Sequence, residues 1–203
     1  MRQGFVLAVL LLAGCAPGEP PVRPEDLRGP RLTRGIPRPA FVAQAPDGSP
    51  FDFRRETGGS LTFLFFGYTH CPDVCPLHMN NLALAIKGLP ERIRSQVRVV
   101  FVSTDPERDT PGRLRNWLSN FDSTFVGLRG DTAALNAVQQ RLGMPPASRD
   151  PAIGAEGYTV SHGAHLWAFT PDDSAHVVYP MGLNQEDFAA DIPKLLRLWH
   201  RPR

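Results

Sequence analysis

The chain has 203 residues, with 22 Lys and Arg against 20 Asp and Glu and a formal net charge of +2. That balance gives a nucleic-acid role no electrostatic support. Only three cysteines occur, so the use of each thiol matters.

Arg2 is followed by an apolar run from Phe5 to Ala13, too short to span a bilayer and read as the core of a secretory signal. The run ends in Leu12-Ala13-Gly14-Cys15. Small residues before a cysteine are the cleavage and lipidation pattern of bacterial lipoproteins. Residues 1–14 are therefore expected to be a lipoprotein signal peptide, with Cys15 the lipidated first residue of the mature protein. An ordinary signal peptide with a chance cysteine is the plainer alternative. Lipid chains would hold the protein on the extracytoplasmic face of a bacterial membrane, each buried methylene contributing roughly 0.8 kcal/mol. Residues 15–39 contain Pro17, Pro20, Pro21, Pro24, Pro30, Pro37 and Pro39 and show no apolar period. They are expected to be an extended tether rising about 3.1 Å per residue. Residues 40–203 remain for one domain with a real core.

Within that domain, Phe41 to Gln44 and Phe51 to Phe53 flank Asp47-Gly48, an N-terminal hairpin turn. Leu61 to Phe66 is a continuous apolar run bounded by Gly59-Ser60 and Gly67, the pattern of a strand buried on both faces. Pro76 to Lys87 reads as a helix and Val97 to Val102 as a second buried strand. Thr110-Pro111 opens a helix with Thr as N-cap and Pro at the first helical position. Phe125 to Leu128 is a short strand, and Asp131 caps a helix from Thr132 to Leu142. After a long Pro- and Gly-rich stretch from Gly143 to Gly157, Leu166 to Phe169 and His176 to Tyr179 flank the turn Pro171-Asp172-Asp173-Ser174. Asn184 opens a last helix to about His200, which Pro193 is expected to end or kink. This order predicts an α/β, thioredoxin-like fold: a central mixed sheet flanked by helices.

Cys71 and Cys75 then fall at the carboxyl end of the first central strand, where open α/β sheets place their sites. Pro72 and Pro76 each suit a first helical turn, so both cysteines are expected at N-terminal capping positions. Unpaired N–H groups and the positive helix end favour thiolate at both sulfurs. A spacing of four puts them on one face and within disulfide reach. The pair can work as a redox couple, chelate a soft metal, or both. Structural zinc wants four ligands, and a structural disulfide here closes too small a loop to stabilise much.

Two thiolates select copper(I), and a histidine as third ligand lets the site hold copper(II) as well. Of six histidines, His70 should point away from the face that Cys71 uses, and His78 reads as helix packing. His165 and His176 fall at strand starts, and His200 lies near the terminus. His162 stands apart. It follows Tyr158-Thr159-Val160-Ser161 and precedes the strand Leu166 to Phe169, at the place where thioredoxin-like folds usually carry a cis-proline beside the cysteine turn.

Four segments resemble the SCO/SenC family of copper-binding, thioredoxin-like proteins that serve cytochrome c oxidase assembly. They are Phe66 to Pro76, Val102 to Pro111, Phe125 to Gly130 and Tyr158 to His162. The resemblance implies copper bound by Cys71, Cys75 and His162, with Cys71 and Cys75 also forming a redox pair. It implies as partners the CuA site of cytochrome c oxidase subunit II and other periplasmic copper chaperones or thiol reductases. The family usually has an acidic residue just before that histidine, where this chain has Ser161. Asp73 and Asp105 match family acidic positions; turn-capping or solvation is their plainer role. A thiol–disulfide oxidoreductase that never needs copper is the competing expectation. A peroxidase is disfavoured because the Pro-x-x-x-Thr-x-x-Cys pattern is absent before both cysteines.

Overall fold

The computed structural model describes residues 21–151 and 157–200. The expected signal peptide and Cys15 lie outside them. After a 3-10 turn at Pro24–Asp26 comes a strand, Arg31–Pro37 (β1). Val42–Gln44 (β2) and Pro50–Asp52 (β3) form the expected hairpin, and Gly48 in its turn adopts φ +86°, a conformation that suits glycine. Phe53–Thr57 (α1) leads into Leu61–Gly67 (β4), followed by Val74–Lys87 (α2), Glu91–Arg94 (α3) and Val97–Ser103 (β5). Then come Pro111–Ser119 (α4), Val126–Leu128 (β6), Thr132–Arg141 (α5), Ser148–Asp150 (β7) and Thr159–Ser161 (β8). Leu166–Phe169 (β9), Ser174–Tyr179 (β10) and Gln185–Leu198 (α6) close the domain.

One six-stranded sheet runs in the order β1-β10-β9-β4-β5-β6. Strands β4, β5 and β6 are parallel, whereas β9, β10 and β1 each pair antiparallel with their neighbour. All seven residues of β4 are buried, as its unbroken apolar run requires of a strand covered on both faces. Phe63 and Phe65 point into one core with α2, α4 and α6, through Leu82, Leu114, Phe188 and Ile192. Leu64 and Phe66 point into the other, with Leu135 and Val138 of α5 and Phe53 of α1. The caps act as the sequence implies: Thr110, Asp131 and Asn184 accept from the backbone N–H groups of Arg113, Ala134 and Asp187. Among the described residues no helix is long and apolar enough to cross a membrane.

Three expectations are corrected here. The stretch expected as a tether to residue 39 is ordered from its middle onward. β1 pairs with β10, and Asp191 of α6 accepts the N–H groups of Arg28 and Gly29 at 2.9–3.0 Å, tying this segment to the domain. Pro193 does not end α6, because Phe188, Ile192, Leu195 and Leu196 stay buried along one continuous helix. The Gly143 to Gly157 stretch is not wholly irregular. Its β7 pairs with β8, so the residues just before His162 belong to a second hairpin.

Candidate metal centre

The cysteine turn hangs from the end of β4. The N–H of Cys71 donates to the carbonyl of Tyr68 at 3.2 Å. Helix α2 begins at Val74, with Asp73 as its N-cap. This corrects the expected start: Cys75 sits in the first turn, while Cys71 lies in the turn before it. Gly67 makes the room. A Cβ there would stand 2.7 Å from Cys75 Sγ and 2.7 Å from the Phe65 ring, so the sulfur fills space that only glycine leaves. Behind the turn, buried Asp109 accepts from the Thr69 N–H (3.1 Å), the Thr69 hydroxyl (2.6 Å) and the Ser103 hydroxyl (2.6 Å). Nothing local in the sequence marks Asp109 as part of the site. Its only sequence signal is a carboxylate just before a Thr-Pro helix start.

His162 comes to the thiols from the other side, at the end of the β7–β8 hairpin. Its Nε2 lies 3.5 Å from Cys75 Sγ. Its Nδ1 lies 3.3 Å from the carbonyl of Gly163. With Nδ1 donating to that carbonyl, Nε2 turns a lone pair toward the sulfurs; with the proton on Nε2, the ring instead donates to a thiolate. The ring is wedged edge-on between Tyr68 (5.6 Å between centroids) and Phe65 (5.9 Å). The hairpin's base is clamped by Arg108, which bonds the Asp105 carboxylate, donates to the Tyr158 carbonyl at 3.1 Å and stacks 3.7 Å from the Tyr158 ring centroid. Asp105 also accepts from the Tyr158 hydroxyl at 2.9 Å. Asp105 is thus a buried anchor rather than a solvated or turn-capping carboxylate, whereas Ser161 is exposed.

Cys71 Sγ, Cys75 Sγ and His162 all lie within 4.8 Å of one another, and both thiols are free. That spread is close to what two metal–ligand bonds of about 2.0–2.3 Å bridge. His70 stays outside the group and packs beside Thr69 and Asp109. The other expected distinction, that His78 is merely packed, is incomplete. His78 is buried, but its Nε2 also meets the Ala164 carbonyl at 3.2 Å. A cleft of about 720 Å³ lined by Asn80, Leu84 and Phe121 lies away from the cysteine turn and holds none of these groups.

The two sulfurs are not alike, which corrects the expectation of two thiolates. Cys71 is lowered to about 4, chiefly by the hydrogen bond from the Cys75 thiol, aided by His162 and by backbone N–H groups at the helix start, against a burial cost. Cys75 is fully buried, and burial, together with the bond it gives to Cys71, raises it well above 9.0. The helix terminus therefore serves one sulfur and burial silences the other. We expect Cys71 in the reduced protein to be alkylated by iodoacetamide at a rate nearly constant from neutral pH down to about 5. Below its value of about 4 the rate should fall as thiolate is lost. Peptide mass spectrometry reads this directly. A rate already falling below pH 8, as for an ordinary thiol, would contradict the split.

A thioredoxin-like sheet that gathers two free thiols and an imidazole at the carboxyl end of its first central strand defines a thiol-based metal-binding or redox domain. Comparison with known proteins narrows this. The SCO1/SenC family model matches residues 38–197, and the chain belongs to that family. A protein of Stutzerimonas stutzeri described as copper-binding is 36% identical over 154 residues, covering 74% of this chain and 72% of the relative. The structure of Bradyrhizobium japonicum ScoI with copper bound superposes with a TM-score of 0.68 at 31% identity, covering 78% of this chain and 98% of that one. The apo Sco1 protein of Thermus thermophilus gives a TM-score of 0.68 at 29% identity, covering 84% and 93%. The chain spans about half the length of the mitochondrial relatives from yeast and Arabidopsis (42% and 50%).

Proposed function

We propose that this protein is a copper chaperone that binds one copper ion through Cys71, Cys75 and His162 and passes it to the CuA site on subunit II of cytochrome c oxidase. The observation that supports this best is the convergence of two sulfurs and an imidazole nitrogen within 4.8 Å. Two thiolates and an imidazole match the softness of copper(I), and the nitrogen broadens the site to copper(II). The donor set is one short of the four that structural zinc takes. In this reading Cys15 carries the lipid that holds the domain at the extracytoplasmic membrane face, beside a membrane-embedded oxidase. There the thiols tend to oxidise. Other extracytoplasmic thiol reductases and copper carriers would keep the pair reduced and load it.

The test is titration of the reduced full-length protein with copper(I) against a competing chelator. One-to-one binding is expected, weakened at least about tenfold by His162→Ala, roughly 1.4 kcal/mol. Binding absent, or unchanged by that substitution, would sink the three-ligand site.

A second reading, reduction of disulfides in the oxidase copper site or in other extracytoplasmic proteins, is favoured by one specific observation. Cys71 keeps 9% of its surface while Cys75 lies fully buried beside it, and the bond from Cys75 favours thiolate at Cys71: the arrangement of an attacking and a resolving cysteine.

A further inference from the structure

Three elements meet behind the metal group, and one side chain joins two of them. His78 stands one helical turn beyond Cys75 on α2 and is 1% exposed. Its Nε2 lies 3.2 Å from the carbonyl of Ala164, two residues after His162. The carbonyl only accepts, so the proton sits on Nε2 and the bond runs from the helix that bears Cys75 to the segment that bears His162. The ring packs against Phe65 at 5.2 Å, and the same Phe65 meets the His162 ring at 5.9 Å. His78 Nδ1 is buried and has no hydrogen-bond partner among the described residues. A buried acceptor left unpaired costs stability. A leucine would fill this place without that cost, so packing alone does not explain a histidine here.

We infer that His78 is a positioning residue: its Nε2–H to Ala164 carbonyl bond sets how closely His162 approaches Cys75 and thereby whether the imidazole completes the metal group. The segment from His162 to His165 has no strand pairing of its own, since β8 ends at Ser161 and β9 starts at Leu166. Among the described residues the His162 ring meets its neighbour's carbonyl and the sulfurs it faces. Without the tie from His78, α2 holds the segment through the long Cys75–His162 contact at 3.5 Å, with the Phe65 ring contact beside it, which has no comparable directionality.

This inference rests on the copper reading for one arm of its test and is independent of it in the other. In the metal-free arm, hydrogen exchange is measured on full-length wild type, His78→Leu and His78→Gln. The amides of His162 to His165 should exchange at least about tenfold faster in His78→Leu while those of β4 and β5 keep their rates. His78→Gln, whose amide N–H reaches toward the same carbonyl, should restore protection. Unchanged exchange in His78→Leu would overturn the inference whatever the protein binds.

In the metal arm, copper(I) affinity is measured for His78→Leu, His162→Ala and the double variant, and copper(II) complexes are examined for nitrogen hyperfine coupling from the imidazole. His162→Ala should cost at least about tenfold in wild type but under about threefold in the His78→Leu background, the non-additivity of two residues acting through one contact. His78→Leu should lose the nitrogen coupling and His78→Gln regain it. Multiplicative losses, or a wild-type copper(II) spectrum in His78→Leu, would overturn the positioning role. Wild type without copper affinity would instead overturn the copper reading and leave the exchange result to decide this one.

Discussion

Replacing Cys75 by serine is expected to lower copper(I) affinity by roughly a thousandfold or more, about 4 kcal/mol, while the fold survives. The hydroxyl is a hard donor that stays protonated at any working pH, and it cannot stand in for a thiolate toward a soft ion. The substitution is nearly isosteric in the space left by Gly67, so displaced packing does not account for the loss. The same position separates the two functional readings. If the protein works as a disulfide reductase, Cys71 attacks first and Cys75 resolves, so Cys75→Ser accumulates a stable mixed disulfide with its partner protein. If it works as a copper carrier, the variant shows lost metal binding and no trapped partner. Wild-type affinity in Cys75→Ser would remove Cys75 from the ligand set altogether.

Cys75 also fixes the pH dependence of loading. A metal-bound sulfur must be deprotonated. Cys71, at about 4, is already thiolate at neutral pH, whereas Cys75 sits well above 9.0 and still holds its proton. Loading therefore displaces about one proton, and apparent copper(I) affinity should rise close to tenfold per pH unit between about 7 and 8.5. Two pre-formed thiolates would give a flat profile. A competition titration at three pH values in that window distinguishes the two.

The sheet's centre was legible because β4 is an uninterrupted apolar run between glycines, and nothing but a strand covered on both faces buries Leu61 to Gly67 entirely. The cysteine turn was legible because Pro72 and Pro76 leave the chain few conformations. His162 was found by its place before β9 and by the family resemblance; its own neighbours give no periodic signal. What stayed hidden depends on contacts across long separations. Arg31–Pro37 has no apolar alternation and contains glycine and proline, so its role as an edge strand shows only through its pairing with β10. The division of the pair into thiolate and thiol was hidden for the same reason. Spacing places both sulfurs near a helix start, but the burial of Cys75 depends on the missing side chain of Gly67, whose place is bounded by the Cys75 sulfur and the Phe65 and Phe101 rings. Asp109 holds the turn across 40 residues through Thr69, a relation no local pattern encodes.

The largest stability effect is expected at Arg38, in the stretch that composition marks as tether. Its side chain is 0% exposed. Nη1 donates to the hydroxyls of Thr57 (2.8 Å) and Thr62 (2.9 Å), Nη2 to the carbonyls of Ser60 (3.0 Å) and Thr170 (3.1 Å), and Nε to the Asp173 carboxylate at 3.1 Å. One guanidinium thus joins the end of β1 to the α1–β4 connection, to the end of β9 and to the β9–β10 turn, lying over the rings of Phe53 and Phe169. Arg38→Met keeps the length and the apolar stem but removes every donor. It leaves two carbonyls without this partner and strips the Asp173 carboxylate of its closest cation, with Arg54 at 3.8 Å remaining. Breaking one side of a buried, hydrogen-bonded ion pair costs about 3–5 kcal/mol. For a domain of this size that lowers the thermal midpoint by roughly 6–20 °C. Arg34→Met, exposed on β1 just before Arg38, is the control and should stay within about 0.5 kcal/mol of wild type. A mere leash would tolerate both changes equally. Equal midpoints in the two variants, followed by circular dichroism of the metal-free protein, would return this segment to the tether. A large loss confined to Arg38 would place the domain boundary before β1.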